Sequence, residues 1–262
     1  MALLELSKER MQNVGFQCTP FGINQENTET SFIPHYHAYH QLTVIKQGTA
    51  ELVLNNTAYP VCAGNAYVIT SYLPHYLRNA KNLQVSSLVF YLDDLDRCVN
   101  SLRFDPNYCS LFYLQPSRTS PDRPSNVLFL NHETFREVEH IIDLMLREIE
   151  KDLPGRDITT QAYFLILITL LSREVSNSLP SEKVEPGFVR LINHIEDHYD
   201  SHITVDAMVS IAGLPEKRLR SLFHTHYNMT PMEYLQSIRL KKAKYLLLSS
   251  SMNISEISVA IG

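Results

Sequence analysis

The sequence has few cysteines, no long apolar run and no strong excess of positive charge. Its four cysteines include no CxxC pair, so we expect reduced, ordinarily packed thiols in a cytoplasmic protein. The longest apolar stretch, residues 162–171, is about half the length that crosses a bilayer and predicts a buried helix, so no membrane is expected. A hydrophobic fraction of 44% and a charged fraction of 19% are typical of a soluble globular protein.

The charge is distributed unevenly along the chain. From Phe188 onward, eight Lys and Arg residues stand against seven Asp and Glu residues, and the part before Phe188 carries a net charge of −6. All but one of these eight basic residues lie from Lys217 onward. This indicates a C-terminal half that faces anions, although it is far less basic than a typical nucleic-acid-binding domain.

The first third of the chain has the pattern of β structure. From about residue 15 to residue 92, short alternating runs with turn residues between them predict a small barrel or sandwich. Asn55 and Asn56 separate two such runs and predict a hairpin turn. Residues 64–77 and 83–92 predict two more strands.

Two helices are predicted at about 131–175. The first is amphipathic and ends at Pro154 and Gly155, and the second begins near Asp157 and is apolar around most of its circumference. The barrel or a second subunit must cover such a helix, so we expect a homodimer. We therefore predict a first domain at residues 1–176, and the polar residues 177–187 predict a linker.

Residues 188–262 are predicted to be all-helical. Thr204 is a predicted N-cap, Gly213 a predicted helix end, and another helix is predicted from Pro215 to Tyr227. Thr230 and Pro231 then open a longer helix. Two short helices around a glycine-containing turn predict a helix-turn-helix, which places its second helix in the major groove of DNA.

The second helix offers one polar face to DNA. A charged helix face is often merely solvated, so the spacing alone leaves that alternative open. The candidates for the groove are Lys217, Arg220, Ser221 and Glu216, and those for phosphates are Arg218, His224, Lys241, Lys242 and Lys244.

The C-terminal segment resembles the DNA-binding domain of the AraC family of bacterial transcription regulators. The matching positions run from about Phe188 to the end of the chain: Ala212 and Gly213, Leu219 and Phe223, Asn228, Thr230 and Pro231, Tyr234, Arg239, Ala243, Leu246 and Leu247, and Ile254, Glu256, Ile257 and Gly262. Ser221 stands where the family usually has arginine, which weakens the usual base contact there, and Pro215 replaces a serine cap. The sequence stops at Gly262, inside a second helix-turn-helix, so we expect that unit to be truncated and the DNA affinity to be low.

The N-terminal segment resembles the cupin barrels that the AraC family commonly carries. His35, His37, Gln41 and Gly48 match the first cupin motif, and His75 and Asn79 match the second. In cupin enzymes the equivalent residues converge on one metal ion. Residues two apart on a strand point the same way, and imidazoles suit divalent transition metals.

Three interpretations of the histidines stay open. The favoured one is a pocket for a small polar effector with no cofactor, lined by His35, His37, Gln41, His75, Arg78 and Tyr91, with Tyr67 as a further candidate. The second is one bound divalent transition metal on His35, His37, Gln41 and His75, in a metal-sensing regulator or a metal-dependent enzyme. The third is ordinary packing in the barrel mouth.

The whole layout also resembles the regulators of rhamnose and related sugar operons. We therefore expect a non-enzymatic, ligand-responsive transcription regulator whose effector is a small polar metabolite such as a sugar. Its expected partners are double-stranded DNA, a second copy of the chain and RNA polymerase. A binding and dimerisation module with a vestigial DNA-binding half is a further alternative.

Overall fold

The computed structural model describes residues 4–5, 19–24, 33–37, 39–54, 56–90, 92, 95, 102–114, 127–151, 153–178 and 185–262. These residues form a curled, mainly antiparallel sheet followed by helices, which confirms the predicted fold class. The strands are β1 (Leu4–Glu5), β2 (Thr19–Asn24), β3 (His35–Tyr36), β4 (His40–Leu54), β5 (Thr57–Cys62), β6 (Asn65–Ile69), β7 (His75–Phe90) and β8 (Val127–Phe129).

Strands β4 and β7 are the frame of the barrel. They pair with each other over most of their lengths, and shifts of register between Ile45 and Glu51 bend them midway. The bend lets β4 pair on its other edge with β6 through its first half and with β5 through its second half. Strands β2 and β3 add to the free edge of β7, and β8 adds to β6.

Gly48 lies at the bend, where only glycine fits. Its φ is 85°, in the left-handed region that other residues rarely adopt. A Cβ atom there would also overlap the backbone carbonyl oxygens of Lys81 and Asn82 in β7. The glycine of the first cupin motif therefore serves the close approach of the two long strands.

The predicted hairpin is confirmed, but the predicted strand over residues 64–77 is wrong. Strands β4 and β5 pair up to Leu54 and Thr57, with Asn56 at a φ of 68°. Asn55 lies outside the described residues. Strand β6 ends at Ile69, a turn follows, and β7 begins at His75 and continues through the region predicted as a separate strand. The apolar residues of that turn resemble strand residues in the sequence.

The two faces of the sheet bury different sets of residues. On β4, Leu42 and Val44 pack against helices, whereas Ile45 and, past the bend, Leu52 and Leu54 fill the barrel. The barrel interior is closed by apolar residues from the neighbouring strands, which include Tyr59, Val61, Tyr67, Ile69, Leu83 and Val85. The alternation of side chains along a strand produces this division.

Within the described residues, the outer face of the barrel is covered by α1 (Pro106–Phe112), α2 (His132–Lys151) and α3 (Arg156–Ser178). A short 3-10 turn, Leu102–Phe104, precedes α1, and neither it nor α1 was predicted. By length and composition alone, residues 156–175 would be able to cross a membrane. Phe164, Leu167, Ile168 and Leu171 are nevertheless completely buried in the core, as the sequence predicted for this helix.

The C-terminal half consists of α4 (Pro186–His198), α5 (Val205–Ala212), α6 (Glu216–Tyr227), α7 (Pro231–Ser249) and α8 (Ile254–Ile261). Thr204 caps α5, and Gly213 ends it with a φ of 64°. Asn228 ends α6 in the left-handed conformation, and Thr230 and Glu233 form a capping box on α7. These boundaries follow the predicted signals closely.

One apolar cluster runs through both halves of the chain. Tyr108, Leu111 and Phe112 of α1 belong to the same cluster as Phe188 and Val189 of α4. Residues 179–184, which hold most of the predicted linker, lie outside the described residues. The division into domains at residues 177–187 therefore stays a prediction.

Candidate functional site

Three predicted histidines converge at the mouth of the barrel. His35 on β3 pairs directly with His75, the first residue of β7, and His37 follows β3. One nitrogen atom from each of the three rings lies within 4.8 Å of the other two. His37 and His75 are 1% and 5% exposed. We call these three residues the histidine cluster.

Backbone contacts orient all three rings in the same way. The Nδ1 atoms of His35, His37 and His75 lie 2.9, 2.7 and 2.8 Å from the carbonyl oxygens of residues 33, 39 and 73. A carbonyl only accepts, so each Nδ1 carries the hydrogen and donates it. Each Nε2 atom is then the basic nitrogen, and His75 Nε2 is buried without a hydrogen-bond partner in the part of the chain that the structure describes.

Burial keeps two of these imidazoles neutral. Loss of hydration lowers the pKa of His37 to about 4, with a smaller contribution from the nearby ring of His35. Burial, together with the neighbouring rings of His37 and His35, lowers the pKa of His75 to about 3. Both rings are therefore uncharged acceptors at neutral pH.

A row of hydrogen-bonding side chains leads from the cluster into the barrel. Gln41 and Thr43 point inward from β4, and Ser87 faces them from β7. The Gln41 carboxamide nitrogen donates to Thr43 Oγ1 (3.0 Å) and Ser87 Oγ (3.3 Å), and the two hydroxyl oxygens are 3.0 Å apart. We call Gln41, Thr43 and Ser87 the polar ladder.

Gln41 joins the polar ladder to the histidine cluster. Its carboxamide oxygen lies 3.2 Å from Nε2 of His37. Because Nδ1 of His37 already donates, this Nε2 needs a donor, which the carboxamide provides when its oxygen and nitrogen exchange places. The oxygen then accepts from the hydroxyls of Thr43 and Ser87, so the exchanged orientation gives one continuous row of hydrogen bonds from His37 to Ser87.

Not every predicted pocket residue joins this row. Arg78 does not: its Nε donates to Glu51 Oε2 at 2.7 Å, and both side chains are substantially exposed. Its neighbour Leu77 packs against the barrel core, so Arg78 points to the other face of the strand. Tyr91 lies outside the described residues. Tyr67 is buried beside Thr43, and burial raises the pKa of its hydroxyl well above the ordinary value.

Two residues of the polar ladder, Thr43 and Ser87, were not predicted from the sequence. Thr43 and Ser87 are 44 positions apart and meet only because β4 and β7 pair in this register. The available signal was that Thr43 falls in phase with Gln41 and the histidines on an alternating strand.

The histidine cluster also fits the metal that the cupin resemblance implies. Three imidazoles that each bring a ring nitrogen within 4.8 Å of the other two, with Nδ1 atoms held by carbonyls, are a typical donor set for a divalent transition metal. His35, His37 and His75 would hold the ion. Gln41 is a weaker candidate ligand, since a carboxamide carries no charge.

The six candidates for DNA contact on α6 are all exposed. The inward side of this helix consists of Leu219, Leu222, Phe223, His226 and Tyr227. The exposed residues are Glu216, Lys217, Arg218, Arg220, Ser221 and His224. Helix α6 therefore has an apolar face that fixes it to the helical half and a polar face that is available for DNA.

Several basic residues of this half already have partners. Arg220 pairs with Glu216 one turn earlier at 2.6 Å, and Arg218 pairs with Glu185 at 2.6 Å. Lys242 Nζ lies 5.5 Å from the ring centroid of Tyr199. Lys244 Nζ lies above the rings of Tyr36 and Tyr72 at the barrel mouth. The two lysines therefore face tyrosines, although the sequence made them candidates for phosphate contacts.

Comparisons with known proteins agree with both halves. A family model described as a helix-turn-helix domain matches residues 208–262, and one described as a cupin domain matches residues 25–91. The HTH-type transcriptional activator RhaS of Escherichia fergusonii is 26% identical over 235 residues, which cover 88% of this chain and 80% of that protein. RhaS of an Enterobacter species is 20% identical over 244 residues, covering 93% and 84%.

The structural likeness to solved proteins is loose. ToxT from Vibrio cholerae is 12% identical, with 94% of this chain and 89% of that chain covered at a TM-score of 0.44.

A cupin barrel joined to a helix-turn-helix with an exposed polar recognition helix defines a DNA-binding transcription regulator. HTH-type transcriptional activators match along most of the chain, and the C-terminal half keeps the positions by which it resembles the AraC family. The chain therefore combines a cupin domain with a helix-turn-helix domain, in an arrangement that resembles the AraC family of transcription regulators.

Proposed function

We propose that the barrel of this regulator binds a small polar molecule, such as a sugar, and that occupancy of the barrel changes how α6 binds DNA. The polar ladder carries the proposal. These three hydrogen-bonding side chains lie among the mainly apolar residues that fill the described part of the barrel, and they connect to the histidine cluster. A polyhydroxylated ligand would exchange these internal contacts for its own without leaving buried groups unpaired.

A thermal-shift panel of neutral monosaccharides, run with chelator present, tests the proposal. A sugar at about 100 times its Kd would stabilise the protein by roughly 2.7 kcal/mol. We expect at least one sugar to raise the melting temperature of the wild type but not of Gln41→Leu. Glu51→Gln is the matched control, because Glu51 lies on the outer pair with Arg78 and should leave the response intact. Equal responses of the two variants would place the sugar elsewhere.

The histidine cluster supports a second candidate, a metal-sensing regulator. When bound, a divalent metal would supply Lewis acidity and fix the positions of the three rings. Elemental analysis of protein purified without an affinity tag, beside His37→Ala, separates the two candidates. One metal per chain that is lost in His37→Ala would favour metal sensing, and no metal in either protein would favour the metal-free effector pocket.

The remaining proposals concern partners, location and catalysis. Ile158, Ala162 and Ile166 are exposed on one side of α3, and we assign this surface to a homodimer. A DNA-binding regulator of this class would act in the cytoplasm, contact RNA polymerase and have no catalytic activity. Analytical ultracentrifugation of Ile166→Glu against wild type tests the dimer, which the charge should weaken.

A further inference from the structure

We propose that Lys244, Tyr36 and Tyr72 form a latch that couples the barrel mouth to helix α7 of the DNA-binding half. The inference rests on the proposed function, because it names the contacts through which ligand binding at the barrel mouth would affect the DNA-binding helices. The latch itself is a contact between two parts of one chain, so it is testable without a ligand.

The contact is a cation held over two aromatic rings. Lys244 Nζ lies 4.9 Å from the ring centroid of Tyr72 and 5.4 Å from that of Tyr36, and the two rings are 6.3 Å apart. These distances fall within the range of cation–π attraction. All three side chains are half-buried, which strengthens the attraction relative to a fully exposed pair.

Both tyrosines are tied directly to the histidine cluster. Tyr36 lies between His35 and His37 in the sequence. The Tyr72 backbone N–H donates to the carbonyl oxygen of His37 at 2.7 Å, and the turn that contains Tyr72 ends at His75. A ligand that moves His37 or His75 therefore moves the rings on which Lys244 rests.

The backbone of Tyr72 is the strained part of this connection. Its φ is 61°, a left-handed conformation that non-glycine residues rarely adopt. The hydrogen bond to His37 and the contact with Lys244 help to hold it there. Strain at a binding-site mouth makes a turn responsive to small changes in its contacts, and here the turn faces a helix of the other half.

Hydrogen–deuterium exchange on the whole ligand-free chain tests the latch, with Lys244→Gln, Lys244→Arg and Tyr72→Asn as variants. Asparagine tolerates the left-handed conformation but removes the ring. We expect Lys244→Gln and Tyr72→Asn each to speed exchange in the turn 70–74 and in the C-terminal half of α7 by about two- to fivefold. Lys244→Arg should behave as wild type, and the double variant should exchange no faster than the faster single variant.

Lys242→Gln is the matched control, because Lys242 lies on the same helix but faces Tyr199 in the C-terminal half. It should leave the exchange of the turn 70–74 unchanged. An unchanged turn in Lys244→Gln, or effects of Lys244→Gln and Tyr72→Asn that multiply, would overturn the latch.

His37→Gln tests whether the mouth communicates with α7. It should speed exchange in α7 in the wild-type background and add nothing in the Lys244→Gln background. Equal increments in both backgrounds would overturn the coupling. If the latch results hold while the sugar panel and DNA binding fail, the proposed function falls and the latch remains; the reverse pattern removes only the latch.

Discussion

Arg103 and Asn193 hold each other by two hydrogen bonds between the two halves of the chain. The Arg103 guanidinium Nε donates to the Asn193 carboxamide oxygen at 2.9 Å, and the Asn193 carboxamide nitrogen donates to the Arg103 carbonyl oxygen at 2.7 Å. Asn193 is 1% exposed, and Arg103 also pairs with Asp197 on α4. Together with the shared apolar cluster, these contacts fix α4 against the barrel side of the molecule.

Asn193→Ala should destabilise the folded chain by about 1–3 kcal/mol, because it removes both hydrogen bonds between Asn193 and Arg103, whose side chain is only 12% exposed. Asp197→Asn should cost less than about 1 kcal/mol, since the Asp197 side chain is 45% exposed. Urea denaturation of the two variants measures both values. Equal losses in the free energy of unfolding would show that Asn193 contributes no more than Asp197 to the contact between the two halves.

Alanine substitutions at Gly48 and Gly155 test whether the bend in the barrel requires a glycine. Both have positive φ, 85° and 88°, but a Cβ at Gly155 would meet nothing within 4 Å. Gly155→Ala should therefore cost only the conformational strain, about 1–2 kcal/mol. Gly48→Ala adds the overlap with the carbonyls of β7 and should cost clearly more. If the two variants had the same urea midpoint, the close approach of Gly48 to β7 would not be what requires glycine there.

Acid should destabilise the metal-free protein through His37 and His75. Both titrate near 6.5 when unfolded, but their folded pKa values are about 4 and 3. As the pH falls below 6.5, these two histidines bind protons in the unfolded chain but stay neutral in the folded chain. The free energy of unfolding therefore decreases until the pH reaches the folded pKa values. Urea unfolding between about pH 7 and about pH 5, with chelator present, should show a shallower pH slope for His37→Gln with His75→Gln. Parallel slopes would refute the assignment.

Arg220→Ala should weaken binding to a specific DNA site by about 1–3 kcal/mol and relax its sequence preference. Arg218→Ala is the comparison, because Arg218 pairs with Glu185 and was assigned to phosphate. Fluorescence anisotropy on the selected site and on a scrambled duplex measures both effects. An equal loss on the two duplexes would show that Arg220 contacts only phosphate.

The helical half was the part most readable from the sequence. Thr204, Gly213, Asn228 and Thr230 are local signals, and each acts on its own helix end in the structure. The cupin motif likewise placed His35, His37 and His75 together, because motif spacing encodes strand phase.

Local signals in the sequence did not predict the contacts between distant segments. Helix α1 had local signals in Asp105 and Pro106, and Asp105 caps it, but its role depends on packing against α4. The pairs Thr43–Ser87 and Arg103–Asn193 join residues 44 and 90 positions apart. Strand register and helix docking set these pairs, and neither leaves a periodic trace in a single sequence.

The most direct test of the central claim is selection of duplex DNA from a random pool by the whole chain, beside a Lys217→Ala, Arg220→Ala variant. We expect the wild type to enrich one defined sequence, the variant to enrich none, and a sugar bound in the barrel to change the affinity for that sequence. Identical pools from the two proteins, or an affinity that the bound sugar leaves unchanged, would contradict a ligand-responsive DNA-binding regulator.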